Sequence, residues 1–286
     1  MNQISLRNFY LPIAVLTVCF ATLYFQVIAN LVTDWTINDN YSHGFLIPFI
    51  SGYLIWENRA RLSDIPLKPS KLAIPGGSVL AGGLALFVLT NIAAEQFTMR
   101  VSMLVVLLGL VMFVGGWELG KNLSLPIGYM IFMIPLPAII WNKIAFPLKL
   151  FATTISVSFM HFLAISAYRE GNVIHLANTS LEVVDACSGL RSLTSLLALS
   201  AAFALISHHS KTRKWILFLS AVPIAIVVNV VRLTATAILA EHYGARVAHG
   251  FLHDVSGILV FVMAFVLLYA VHLFLQKTFT QKIGAN

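Results

Sequence analysis

FYLPIAVLTVCFATLYFQVIA, residues 9–29, carries no charged side chain. A helix that crosses the hydrocarbon core of a bilayer needs about 20 predominantly apolar residues, and this run supplies them. No small-residue cleavage site closes it, so it reads as a retained span and not as a removed signal peptide. Further apolar runs follow at about 44–57, 72–93, 101–117, 123–141, 144–167, 189–207, 214–240 and 252–275. The second is short for a crossing, and the sixth is weakened by Lys149, His161 and Pro147. Over 286 residues the composition is 59% hydrophobic and 10% charged, with mean hydropathy +0.87. A soluble domain has about 25% charged residues. The fold class is therefore an all-α polytopic membrane protein, built helix against helix in lipid. No repeat, low-complexity tract or long linker divides it, so residues 1–286 read as one integral-membrane domain.

Basic residues set the expected topology. Arg7 precedes the first run, and Arg59, Arg61, Lys68 and Lys71 follow the second. Lys121 follows the fourth, Lys211, Arg213 and Lys214 separate the seventh from the eighth, and Lys277 and Lys282 follow the ninth. Such residues collect on the cytoplasmic side, which puts both termini there. Nine crossings would put the termini on opposite sides. The expectation is thus about eight transmembrane helices plus one re-entrant or interfacial segment, either 123–141 or 144–167. Pro126, Pro135 and Pro137 can bend the former into a re-entrant segment. Alternatively, the latter lies along the interface with Lys149 snorkelling. Both remain open at this level. The net charge of +7 and pI near 9.5 then express topology and exclude a nucleic-acid footprint. Cys19 and Cys187 lie in separate runs and read as free thiols.

On the outer side, 172–176 and 181–185 flank Ala177-Asn178-Thr179-Ser180 and read as a short β-hairpin. It delivers the chain to Cys187, in Ala186-Cys187-Ser188-Gly189-Leu190-Arg191. A thiol at the start of a helix feels the positive end of its dipole, and Arg191 adds a second positive influence, so thiolate forms more easily. Cys187 is the candidate nucleophile; the plain alternative is a small buried hydrophobe.

Two further polar residues stand at the same depth. Cys187 is 24 residues before Lys211, Arg232 is 18 after Lys214, and His253 is 24 before Lys277. At about 1.5 Å per residue these separations are roughly 36, 27 and 36 Å, against a core about 30 Å thick, so all three fall near the outer boundary. A thiol, a guanidinium and an imidazole at one depth form a reactive set. Cys187 attacks, Arg232 stabilises the oxyanion or the thiolate, and His253 acts as general acid and base. Taken singly, Arg232 also reads as a structural ion pair and His253 as a backbone-bonded boundary residue. His43, Ser188, Arg191 and Asn229 are candidate substrate-cleft residues. His208 and His209 read as solvated, His161, His175 and His272 as structural, and Asp34, Asp39 and Glu95 as solvated loop charges. No metal-ligand spacing appears at the outer face, and neither a metal nor a cofactor is expected. Gly76-Gly77 and Gly82-Gly83 read as small-residue helix packing.

The chain resembles the exosortase/archaeosortase family of membrane-embedded cysteine transpeptidases from about residue 30 to 275. Tyr41-Ser42-His43-Gly44, followed by Pro48, Tyr53 and Trp56, is similar to the family's N-terminal signature. Phe132-Met133-Ile134-Pro135-Leu136-Pro137 is similar to its central Pro-rich segment. Ala186 to Leu193 resembles the nucleophile motif and is the most specific of these. Asn229-Val230-Val231-Arg232, and His253 followed by Gly257, match the Arg and His motifs. The resemblance implies partners that are membrane-anchored proteins with a C-terminal Pro-Glu-Pro-like motif, a transmembrane helix and a basic tail. It further implies Cys187 as nucleophile, Arg232 as stabilising arginine and His253 as third member, and a bacterial origin from that histidine. The acyl acceptor stays unknown. The competing reading is a transporter or channel with Arg232 in its pathway, and a third is an inert scaffold for polysaccharide machinery.

Overall fold

The computed structural model describes residues 3–65, 73–177, 180–182, 190–207, 209–243 and 251–283. The chain divides into two compact units, Met1–Leu136 and Pro137–Asn286. Among the described residues six helices are long and apolar enough to cross a membrane: Leu11–Ile37, Pro75–Ile92, Gln96–Met133, Ala138–Phe162, Lys211–Glu241 and Gly257–Lys277. The shorter apolar helix Arg191–Ile206 joins them. The polytopic all-α class expected from hydropathy is the observed one.

The first unit holds helix α1 (Gln3–Ile37), a 3-10 segment (Asp39–Phe45), α2 (Leu46–Glu57), α3 (Arg59–Ser63), α4 (Ala73–Ile92) and α5 (Gln96–Tyr129), which runs on into a second 3-10 turn (Met130–Met133). Helix α4 lies antiparallel along the first half of α5. A Cβ added at Gly76 would come within 2.7 Å of the Met112 and Phe113 backbone, and one at Gly109 within 2.6 Å of Leu80. Glycine at those positions lets the two backbones touch. Gly83 makes a similar approach to Val106, whereas Gly77 and Gly82 have open space or bare contact, so only half of the expected glycine packing is present.

The runs expected at 101–117 and 123–141 are not separate helices with a loop between them. Residues 101–117 and 123–129 belong to one helix, α5, turned at Gly116, whose φ of 84° and ψ of 175° only glycine adopts without strain, and the rest of the second run passes through the 3-10 turn and the Pro-rich stretch into the start of the next helix, Ala138–Phe162. Pro126 sits inside the second half. The helix ends where Ile134 turns extended, ahead of Pro135 and Pro137, so these two prolines separate α5 from the next helix. The run expected at 44–57 is the 12-residue α2, whose Ser51 hydroxyl donates to the Pro126 carbonyl at 2.9 Å.

Two loop charges expected in water are occupied. Asp34 forms an ion pair at 2.6 Å with Arg100 of α5, which is 4% exposed. The Glu95 carboxylate caps α5 by accepting from the Phe97 and Thr98 amides at 3.0 and 2.7 Å. The N-terminal end of α5 supplies both kinds of group that need a partner, a buried guanidinium and two free amides, and the carboxylates meet them.

The second unit holds α6 (Ala138–Phe162), strands β1 (Ala167–Glu170), β2 (Val173–Leu176) and β3 (Ser180–Glu182), then α7 (Leu190–Ile206), α8 (Lys211–Tyr243) and α9 (Phe251–Ile283). A hairpin is present where one was expected, with Val173 opposite Glu182 and Ile174 opposite Leu181, but Ser180, expected in the loop, already pairs with His175, and 183–185 lie outside the described residues. A third strand was not expected. β1 pairs antiparallel with β2, Glu170 opposite Val173, across a two-residue turn at Gly171-Asn172. Ile174, Leu176 and Leu181 pack with Ala152, Val157 and Met160 of α6 and with Leu233, Ala237 and Ala240 of α8. The sheet therefore sits on the C-terminal ends of α6 and α8. A second core cluster joins α7, α8 and α9 through Leu196, Ala204, Leu217, Ala221, Ile224, Ala225, Val228, Val260, Ala264 and Leu268.

Candidate functional site

Arg232 is 8% exposed and lies on α8, four residues after Val228. Leu217, Ala221, Ala225 and Val228 recur at helical spacing and pack against α7 and α9, and Arg232 continues that stripe. The guanidinium is thus carried on the side of α8 that faces the two helices bearing the other candidate residues. Burying a permanent cation in this way is costly without a role or a partner.

Two cross-links fix the levels. The Ser200 hydroxyl of α7 lies 3.3 Å from the Phe218 carbonyl of α8, and α7 and α8 are antiparallel neighbours joined by a short connection. From Ser200 back to Leu190 is about 15 Å of helix rise, and from Phe218 on to Arg232 about 21 Å. Arg232 therefore stands about one turn above the first residue of α7. At the opposite end, His209 and His272 share a hydrogen bond of 3.2 Å. From His272 back to His253 the rise is about 29 Å, and from Lys211 on to Arg232 about 32 Å. The backbone of His253, in the first turn of α9, is helical and nearly level with Arg232. The His209–His272 contact also corrects the expectation that His209 is simply solvated: burial and the adjacent His272, Arg213 and Lys214 hold its pKa below the usual histidine value.

Asn229 precedes Arg232 by three residues and is 2% exposed. Arg191 is half-buried in the first turn of α7. Cys187 and Ser188 lie outside the described residues. His43 belongs to the first unit, on the 3-10 segment. Burial lowers its pKa, opposed by a hydrogen bond to the Phe132 backbone. The Tyr41 hydroxyl accepts from the Leu136 amide at 3.2 Å, and the Trp35 indole donates to the Met133 carbonyl at 2.8 Å. The segment 41–44 and the Pro-rich segment 132–137, far apart in sequence, are thus one structural feature.

Beside the sheet an open groove of about 640 Å³ is lined by His161, Tyr168 and His175, among others. A smaller one of about 240 Å³ adjoins it and reaches Ile238 and Glu241 of α8. His161 bonds the Ala167 backbone carbonyl at 2.7 Å, and His175 lies 3.3 Å from the Glu170 carboxylate. Both histidines thus contact the sheet at its exposed side. Sequence reading missed β1 and with it Tyr168 in the groove; the signal was Gly171-Asn172, a hairpin dipeptide. Among the described residues no group of three or more metal-ligating side chains occurs.

The transmembrane exosortase family model matches residues 35–270. The chain belongs to that family. Membership carries a membrane-embedded, transpeptidase-type function in general, with membrane proteins bearing sorting signals as the substrate class. No curated protein and no solved structure matches the chain.

Proposed function

We propose that this exosortase is a cysteine protease/transpeptidase that cuts exported proteins at C-terminal Pro-Glu-Pro-type sorting signals. It acts at the outer face of a bacterial inner membrane, with both termini in the cytoplasm. The observation that carries the reading is the placement of Arg232: buried, on the α7- and α9-facing stripe of α8, about one turn above the start of α7 and nearly level with the backbone of His253. Cys187 falls three residues before α7 begins.

In this mechanism the substrate helix docks laterally in the bilayer and its motif meets the outer end of the second unit. His253 takes the Cys187 thiol proton, and the thiolate attacks the scissile carbonyl, forming the C–S bond while the carbonyl π pair moves onto oxygen. Arg232 stabilises that oxyanion. Collapse breaks the C–N bond, and the departing amine takes a proton from His253. The thioacyl enzyme is resolved by a nucleophile from a surface acceptor in transfer, or by water in hydrolysis. Ser188, Arg191 and Asn229 border the cleft, and the mechanism calls for no cofactor.

The test is co-expression with a tagged membrane protein that ends in Pro-Glu-Pro, a single transmembrane helix and a basic tail. Its size is followed by immunoblot in wild type and in Cys187→Ala at matched expression. A size shift lost in the variant is the expected result. An equal shift in both would sink the nucleophile assignment and return the transporter reading.

A further inference from the structure

Both polar atoms of the Asn229 carboxamide, Nδ2 and Oδ1, are buried and have no hydrogen-bond partner among the described residues. Among the described residues the buried hydroxyls of Ser156 and Thr234 also have no partner. A helical hydroxyl is cheap to satisfy, because it can rotate onto the carbonyl of the preceding turn. An amide with both ends unmet has no such local remedy, and in lipid no bulk water relieves it. Such a group needs an explanation beyond packing.

Its position supplies one. Phe218 presents its carbonyl to α7; Ala225, Asn229 and Arg232 follow at intervals of seven, four and three residues, on the same side of α8. From Phe218 to Asn229 the rise is about 17 Å, and from Ser200 back to Leu190 about 15 Å. Asn229 is therefore level with the first turn of α7, just below Arg232 and on the same sector.

We infer that Asn229 is a further catalytic residue, whose Nδ2–H donates to the oxyanion beside Arg232 when the thioacyl intermediate forms and breaks. The inference rests on the cysteine-transpeptidase reading above. The two groups divide the work. Arg232 supplies a full charge that cannot titrate away, and Asn229 supplies a short, directed donor on a rigid helix. As the carbonyl π pair moves onto oxygen, the amide gains a partner that it lacks at rest. The hydrogen bond is then made only in the transition state, which is where it accelerates the reaction. The donor takes no proton and gives none; the leaving amine still draws its proton from His253.

This assignment predicts opposite signs for activity and stability. Asn229→Leu keeps the approximate volume and removes the two unmet polar atoms. Cleavage of the tagged Pro-Glu-Pro probe should fall about 100-fold, as for loss of one oxyanion donor, while the thermal midpoint in detergent rises. Asn229→Asp replaces the donor by a carboxylate oxygen and should lose at least as much activity. Asn229→Leu that lowers the midpoint, or either variant with wild-type cleavage, overturns the inference. Cys187→Ala is run alongside: if it cleaves like wild type, or wild type leaves the probe uncut, the underlying reading fails. If Cys187→Ala alone is inactive, the reading stands and the role of Asn229 falls.

Discussion

In the first unit Ser51, Thr90, Arg100 and Ser102 are buried, and each has a partner: the Pro126 carbonyl, the Leu86 carbonyl, Asp34, and the Tyr24 hydroxyl. In the second unit Thr153 and Ser200 are likewise satisfied by the carbonyls of Lys149 and Leu197, but Ser156, Asn229 and Thr234 have no partner among the described residues. Both units are apolar helix assemblies that meet the same penalty for an unmet polar group. On the role inferred for Asn229, the difference separates polarity that holds the scaffold together from one amide kept in reserve. A group already bonded is part of the scaffold. A group left unmet beside a buried arginine is available to a reacting molecule.

The sharpest way to break this contrast is at Arg232. Arg232→Gln should lower the initial rate of probe cleavage about 100- to 1,000-fold. Arg232→Lys should recover little of it, because a point charge does not reproduce the guanidinium fork. Full activity in Arg232→Gln would make the residue scaffold and erase the distinction.

A smaller effect, confined to stability, is expected in the first unit. Asp34→Asn leaves the buried Arg100 guanidinium without its counter-charge. It should cost about 2 kcal/mol, less than for a fully buried pair because the Asp34 side chain is 40% exposed. Asp34→Leu combined with Arg100→Leu should recover much of that loss in a detergent melt, with probe cleavage per folded molecule unchanged throughout. A cleavage defect in the double variant would mean that the pair serves the chemistry.

The mildest effect is a pH dependence. Burial holds the pKa of His43 below its ordinary value, and that of His209 is lowered too. A group whose folded pKa lies below its unfolded one binds fewer protons when folded, so stability rises with pH across that interval. It is therefore lost as pH falls below the ordinary histidine value, about 6.5. The thermal midpoint should be lower at pH 5.5 than at pH 7.5, and His43→Gln should narrow the gap. An unchanged gap would assign the dependence to other groups.

Much of the architecture is legible from apolar run length alone, because lipid demands long uninterrupted helices. What run length misses is where a run turns. Gly115-Gly116 inside an apolar stretch looks like the packing pairs at 76–77 and 82–83, and only the positive φ at Gly116 separates them. β1 escaped because the preceding run was extended to residue 167, across Ala164, which itself takes a positive φ of 60°. The near-common level of Arg232 and the His253 backbone was reachable by counting residues from basic anchors, since helix rise is regular. The Asp34–Arg100 pair was not, because its members are 66 residues apart in sequence and no periodicity links them. Nor was the unmet state of Asn229, which is a property of its neighbours and not of its own identity.

The glycine contact between α4 and α5 also bears on the order of assembly. The two helices meet over a connection of only three residues, 93–95, so the loop entropy lost on closing them is small. Their contacts are all available once residue 113 has emerged, long before α7, α8 and α9 have been synthesised. This hairpin is therefore the natural first folded piece of the nascent chain, and a bulky side chain at Gly76 or Gly109 would do its damage at the ribosome's exit, as slow insertion and early degradation, before any site exists to be lost.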